Sequence, residues 1–449
     1  MESILRALSF AGGVAGTDLG KTRRPVQQGN RVNPVSYDVV IVGSGHGGAT
    51  AAISLRQNGF GGTIAIISKE RGAPYERPPL SKDYLAQKVS FEKILVRPMS
   101  YWTDHAIDLV LGCEVRGVDP HAAKVILDDG RALHYRKLIW SAGGTARRLA
   151  CLGGDLDGLH YIREKADVDR IVSALNAGAR DVVIVGGGYI GLEAASVLTS
   201  MGCHVTVLEA AERVLSRVSG KQVSQFLQIQ HRARGVNLRL STCVVAIEPG
   251  SGQRKVVRLA SGEALTCDMV VVGIGITPNV GPLVAAGASA SNGVGVDEYC
   301  RTSLPHVYAI GDCAGHKNPA AGGRTVRLES VQNATQMAVV AAKDICGNAE
   351  PYSDTPWFWS DQFDFKLQSV GLHEDHDVAV LRGDPVEGSF SMVYLKDGKV
   401  TALECVNSVK DYIQGRKLVE SGSQVPIELL YDTSVALSAL LVAVPPDHH

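Results

Sequence analysis

Across 449 residues this chain has no Cys-x-x-Cys pair, and no cysteine at all before Cys113. Its nine cysteines are scattered and odd in number, which argues against a disulfide framework and for reduced thiols in the cytoplasm. Long apolar runs are missing too: none reaches the roughly 18 residues that a membrane span needs. Charge of one sign is also lacking. A net charge of −1 at pH 7 gives no basis for binding nucleic acid or an anionic membrane surface. What remains is 45% hydrophobic residues, in a chain long enough for several domains with full cores.

Residues 1–36 differ from the rest. Arg6, Lys21, Arg23, Arg24 and Arg31 make them basic, and Ala7 to Gly16 is mildly apolar and Gly-rich. Glu2 sits where a signal peptide would be positive, and no clean A-x-A site follows, so a flexible N-terminal extension is expected.

Two glycine-rich motifs lie 143 residues apart: Gly43-Ser44-Gly45-His46-Gly47-Gly48 and Gly186-Gly187-Gly188-Tyr189-Ile190-Gly191. Each follows an apolar strand, Tyr37 to Val42 or Asp181 to Val185, and each opens an Ala-rich helix. In that context the first glycine allows a tight turn, the second lets backbone approach a diphosphate, and the third packs helix on strand. The helix N-terminus then favours the anion. Two such units predict two bound dinucleotides and an electron path between them.

The organisation follows. The fold class expected is α/β, with two Rossmann-like dinucleotide-binding domains plus a C-terminal α+β domain. The first domain is discontinuous, 37–150 and 271–350; the second is 151–270; the third is 351–449, opening on the aromatic-rich stretch Ser353 to Trp359. Each nucleotide unit carries a β-meander before its closing strand, turned by Asp128-Asp129-Gly130 in one and Ala260-Ser261-Gly262 in the other.

Acidic residues after the second strand of each unit are the ribose candidates. Glu209 follows His204 to Leu208 directly; Glu70 comes slightly late, after Ile67-Ser68. A carboxylate at 209 accepts from ribose hydroxyls and repels a 2′-phosphate, favouring NADH, although Arg213 and Arg217 nearby keep NADPH open.

The run Ala73-Pro74-Tyr75-Glu76-Arg77-Pro78-Pro79-Leu80-Ser81-Lys82 is stiffened by its prolines. It resembles the flavin loop of the putidaredoxin, rubredoxin and dioxygenase-ferredoxin reductases, shared with apoptosis-inducing factor. Further matching runs are Gly186 to Glu193, Gly273 to Asn279, Ala309 to Ala314, Arg327 to Ala334 and Pro356 to Gln362. The resemblance covers residues 37 to about 440 and implies that the two Rossmann-like domains are FAD/NAD(P)-binding domains of the glutathione-reductase type.

The resemblance implies roles residue by residue. Gly43, Gly45, His46, Gly47, Gly48, Lys69 and Glu70 hold the ADP part of non-covalent FAD, and Val115 packs on its adenine. Arg77, Lys82 and Arg147 lie near pyrophosphate or flavin, Asp312 accepts from a ribityl hydroxyl, and Val331 and Trp359 flank the isoalloxazine. Gly275, Glu329 and Ser330 belong to the same matching runs. Gly186, Gly188, Tyr189, Ile190, Gly191 and Glu209 hold NADH. Lys82 and Glu193 pair near the hydride acceptor as the catalytic pair. Gly47 and Trp140 depart from the family pattern, which has Ala and a small or aliphatic residue there.

The function implied is that of an NADH-dependent ferredoxin reductase. Electrons pass singly to a 2Fe–2S ferredoxin or rubredoxin, and so to a Rieske dioxygenase or haem monooxygenase. The protein is expected as a monomer or homodimer. A disulfide reductase needs a cysteine beside the flavin, which the cysteine-free start denies. An NADH oxidase, or a signalling flavoprotein like apoptosis-inducing factor, stays as the alternative. Arg324, Arg327, Lys410, Arg416 and Lys417 are candidates for a basic docking patch. His373 to Asp377 fits no standard zinc spacing and is expected as a solvated loop, and of Trp357 and Trp359 one should face the flavin while the other packs.

Overall fold

The first sheet grows from strands whose apolar residues run without alternation, as strands covered on both faces require. Ile64–Ser68 is buried throughout, and the last four residues of Val35–Val42 are buried beside it in parallel register, Val39 opposite Ile64 and Val42 opposite Ile67. Ile107–Leu111 continues the sheet beyond Ile64–Ser68. The computed structural model describes residues 35–441; nearly all of the expected extension, and residues 442–449, lie outside that range.

Ala132–Trp140 belongs to two arrangements. Its first half is antiparallel to Lys124–Leu127 in the meander, and its end, Leu138 to Trp140, runs parallel to Val307–Ala309. Helices His46–Gln57 and Val331–Ile345 cover the sheet and pack on each other. Ala49, Ala51 and Ala52 on one, and Ala338, Ala341 and Ala342 on the other, are fully buried. Small side chains let the two backbones approach closely.

The second sheet repeats the plan. Asn237–Arg239, His204–Leu208, Asp181–Val185, Met269–Val272 and Leu159–His160 lie side by side in parallel. Its meander forms a separate antiparallel sheet of three strands. Met269–Val272 pairs along its length with Val182 to Val185, so the expected boundary at 270/271 cuts through a strand of the second unit. The two crossings between units pair with each other, Gly144–Ala146 antiparallel to Ile276–Pro278.

The third sheet is antiparallel, in the order Trp357–Gln362, Phe365–Gly371, Lys399–Val406, Ser389–Lys396, Val378–Asp384, with helix Val409–Ser421 packed on it. Arg382, 3% exposed, is held by Asp411 at 3.0 Å and by the carbonyls of Asp432 and Val435 at 2.5 and 2.6 Å. Tyr352 packs in the first unit's core, so the third domain starts after it rather than at 351. A small sheet of four strands between Ala290 and Val326 was not anticipated.

Candidate active site

Both glycine loops open into one cleft of about 1280 Å³, walled by all three units. The outer glycines are structural. Gly43 and Gly186 have φ of +105° and +112°, and a Cβ on either would fall 2.3 or 2.4 Å from a backbone oxygen of the neighbouring strand end. On Gly48 or Gly191 a Cβ would meet the oxygen of Gly43 or Gly186 at 1.9 or 2.0 Å. Only hydrogen fits at these four positions. The middle glycines differ. A Cβ on Gly45 would have Arg77 Nε as its nearest neighbour at 3.7 Å, and one on Gly188 would touch nothing closer than 4.0 Å. Each would project into space that backbone leaves open before a helix N-terminus, where a diphosphate fits. Of the expected site residues, all but Gly48, Gly186 and Gly191 line the cleft.

Around the first loop the charges are interlocked. Arg77 pairs with Glu70 at 2.7 Å and donates to the carbonyl of Arg163 at 2.5 Å. Tyr75 donates to the other Glu70 oxygen at 2.6 Å. Asp312 pairs with Arg163 at 3.0 Å, and Lys69 with Glu164 at 2.6 Å. Burial, with the charge of Arg77, pushes the His46 imidazole down to about 4, so it is neutral at pH 7. The departure at Gly47 is mild: a Cβ there would lie 3.4 Å from Ala334 O and Ile310 Cδ1. Trp140 is buried in the first core, its indole N–H donating to the carbonyl of Asn279 at 2.7 Å.

Lys82 follows the turn Pro78–Ser81 and meets Glu193, on helix Tyr189–Ser200, at 2.6 Å. Glu193 is 2% exposed, and also accepts from Ser81 at 2.5 Å and Ser360 at 2.7 Å. Beside it Tyr189 lies on Phe358, ring centroids 4.4 Å apart and tilted by 30°. Trp357 and Trp359 both line the cleft, 5.6 Å apart, and Trp357 is the one that also packs against the apolar core of the third unit. Around the second loop Glu209 accepts from Gly187 N at 2.6 Å and Ala211 N at 2.8 Å. Arg213 is spent on the carbonyls of Ser219 and Ser216, at 2.8 and 2.9 Å.

Several placements correct the sequence. Arg327 is no docking residue: its side chain is 7% exposed, pairs with Glu329 at 2.8 Å and donates to Asp312 O at 2.9 Å inside the cleft wall. Arg324 pairs with Asp375, and Arg416 with Glu420 at 2.6 Å. His373 is not merely solvated; it lines the cleft and packs on Tyr394, centroids 5.2 Å apart. Arg163, Ser81, Ser360 and Phe358 were not singled out as site residues. Ser81 and Ser360 lie inside runs already noticed, and the pairing of Lys82 with Glu193 called for donors around a buried carboxylate. Among the described residues no group of His, Cys, Asp and Glu is arranged to hold a metal. Of the cysteines only Cys113 reaches the cleft, beside Glu70 and far in the chain from the Lys82 turn.

Two dinucleotide cradles facing one cleft define a two-nucleotide oxidoreductase. The chain belongs to the pyridine nucleotide-disulphide oxidoreductase family, whose pattern it matches over residues 37–338, followed by a reductase C-terminal domain over 357–441. This family depends on FAD and NAD(P)H. The chain is 55% identical over 386 residues to a ferredoxin–NAD(P)+ reductase of a Sphingomonas species, covering 86% of this chain and 93% of that one. It is 53% identical over 408 residues to the ferredoxin reductase subunit of a 5,5′-dehydrodivanillate O-demethylase from a Sphingobium species, covering 91% and 99%. Among solved structures it resembles putidaredoxin reductase in its covalent complex with putidaredoxin: TM-score 0.86, 36% identity, 92% and 99% covered.

Proposed function

We propose that this chain is an NADH:ferredoxin oxidoreductase that feeds electrons, one at a time, to an iron–sulfur protein of an oxygenase system. The observation that carries this is the opening of both glycine loops into a single cleft, with Lys82 and Glu193 paired at the junction of the two units. Bound FAD supplies an acceptor for the NADH hydride that can release its electrons singly.

The residues do the rest. The Gly43–Gly48 loop and the N-terminus of helix His46–Gln57 hold the diphosphate of FAD, with Arg77 held rigid by Glu70 beside it. Glu70, Val115, Arg147, Asp312, Glu329, Ser330, Val331 and Trp359 surround the remainder. The Gly186–Gly191 loop receives NADH. Glu209 faces its ribose and repels a 2′-phosphate, and Arg213 is spent on carbonyls, which supports NADH; Arg217, in the cleft lining, is the cation left to meet a 2′-phosphate. Tyr189 and Phe358 wall the nicotinamide side and exclude water. Lys82 and Glu193 fix charge where the hydride changes hands. Scattered free thiols, with Cys113 alone in the cleft, support outward transfer to a protein rather than to a disulfide, and a cytoplasmic setting.

Steady-state NADH oxidation, with cytochrome c as terminal acceptor, tests this. The rate should rise steeply on adding a 2Fe–2S ferredoxin and stay low without it. A rate indifferent to any ferredoxin would point to oxygen or another acceptor instead.

A further inference from the structure

The Lys82–Glu193 pair is the end of a longer buried chain. Gln362 Nε2 donates to Ser360 Oγ at 3.1 Å, and Ser360 Oγ donates to Glu193 Oε1 at 2.7 Å. At the far end His231 Nε2 lies 2.9 Å from Gln362 Oε1. An amide oxygen only accepts, so His231 carries its proton on Nε2. Burial holds this imidazole down at about 4, hence neutral, and its Nδ1 is left as an unpartnered acceptor. Glu193, His231, Ser360 and Gln362 are each no more than 2% exposed.

Every donor in this chain points toward Glu193. The order His231, Gln362, Ser360, Glu193 admits one direction only, because the carboxylate cannot donate and the amide has fixed ends. Two oxygens are thereby held from two sides. Oε2 takes Ser81 and Lys82 from the first unit; Oε1 takes Ser360 from the third sheet. Ser360 and Gln362 stand two apart on strand Trp357–Gln362 and so share a face. Phe358 against Tyr189, and Trp359 in the cleft wall, belong to the same strand.

We propose that Ser360 is a positioning residue for hydride transfer. Its hydroxyl, oriented by Gln362 and His231, locks the Glu193 carboxylate so that Oε2 stays on Lys82, which sets the net charge the pair presents to the cleft. This rests on the role given to Lys82 and Glu193 above. Without Ser360, Oε1 is buried with no donor, and the carboxylate turns to find one. Lys82 then loses its fixed counter-charge and faces the cleft more nearly as a free cation.

The experiment compares wild type, Ser360→Ala, Ser360→Thr and Gln362→Leu as FAD-loaded proteins. It reads the rate of flavin bleaching by NADH in a single turnover, its dependence on NADH concentration, and the midpoint potential of the flavin. Ser360→Ala should bleach roughly tenfold more slowly at saturating NADH, because Lys82 is no longer held at one position when the hydride moves, and this loss of pre-organisation outweighs its freer charge. Its half-saturating NADH should change by less than about twofold, because ground-state binding is untouched. Its potential should move positive, since a less neutralised Lys82 favours the more negative reduced flavin. Ser360→Thr keeps the hydroxyl and should restore both readouts; Gln362→Leu should move both the same way by less. Wild-type rate and potential in Ser360→Ala overturn the proposal, as does a loss confined to melting temperature or FAD retention. So does a slowed rate that Ser360→Thr fails to restore. If NADH does not bleach the wild-type flavin, the role given to the Lys82–Glu193 pair falls first, and Ser360 with it.

Discussion

Lys82 Nζ lies 2.6 Å from Glu193 Oε2, although one residue follows a proline-stiffened turn of the first unit and the other sits behind the second glycine loop. The pair therefore forms only when both units are folded and docked. Its side chains are 18% and 2% exposed, so water screens it little.

Lys82→Ala should slow the bleaching of bound flavin by NADH roughly 10- to 100-fold, because a pre-organised charge at the reacting end is lost. It should also lower the melting temperature, since Glu193 keeps its burial and loses its cation. Stopped-flow absorbance and a melt on the same sample measure both. An unchanged bleaching rate would reduce the pair to a structural clamp.

The ribose contact proposed for Glu209 is tested through cofactor choice. Glu209→Ala should lower the ratio of kcat/KM for NADH over that for NADPH by about tenfold, the worth of one charge-assisted hydrogen bond. How far NADPH gains then falls to Arg217 in the cleft lining, because Arg213 remains tied to the carbonyls of Ser216 and Ser219. The decisive measurement is the ratio, since the loop also loses the contact from Gly187 N to Glu209. A ratio that stays put would remove Glu209 from ribose recognition.

How legible the protein was follows from where each residue's partners lie. The glycine loops were legible because their geometry is local: the clash that forces Gly48 comes from Gly43, five residues away. Lys82 and Glu193 were found through ordered motifs, whereas their donors were not. Ser360 is aligned to Glu193 only by docking of the third sheet, and Arg163 reaches Asp312 from the loop before helix Lys165–Asn176. Arg327 was misread because a positive charge looks the same in sequence whether it faces solvent or Asp312 O. Met269–Val272 is a short apolar strand at the crossing between units, and only its pairing with Val182 to Val185 assigns it.

Acid should destabilise the fold through buried histidines. Burial holds His231 and His316 down at about 4, against an ordinary value near 6.5. Between those values the unfolded chain binds a proton that the native state refuses, so stability rises with pH there and falls as the pH drops from 6.5 toward 4. Each group contributes up to about 3 kcal/mol across that window. His316→Phe keeps a ring against Tyr352, now 4.7 Å between centroids, and should flatten the dependence. Urea unfolding at several pH values between 4 and 7 measures the slope; equal slopes in variant and wild type would exonerate His316.

The corrected surface charges narrow where a ferredoxin can dock. With Arg327 in the cleft wall, and the solvent-facing Arg324 and Arg416 each neutralised by a carboxylate, Lys410 and Lys417 are the exposed candidates without an ion pair among the described residues. They stand seven residues apart on helix Val409–Ser421, two turns along one face, with exposed Val409 and Ile413 beside them. That pairing of apolar contact with a cationic rim suits a transient, acidic partner. Reversing both charges, Lys410→Glu with Lys417→Glu, should raise the apparent KM for ferredoxin by about fivefold or more and weaken its salt dependence. The KM for NADH should not move, because neither lysine lines the cleft. An unchanged KM for ferredoxin would shift the docking face elsewhere on the molecule.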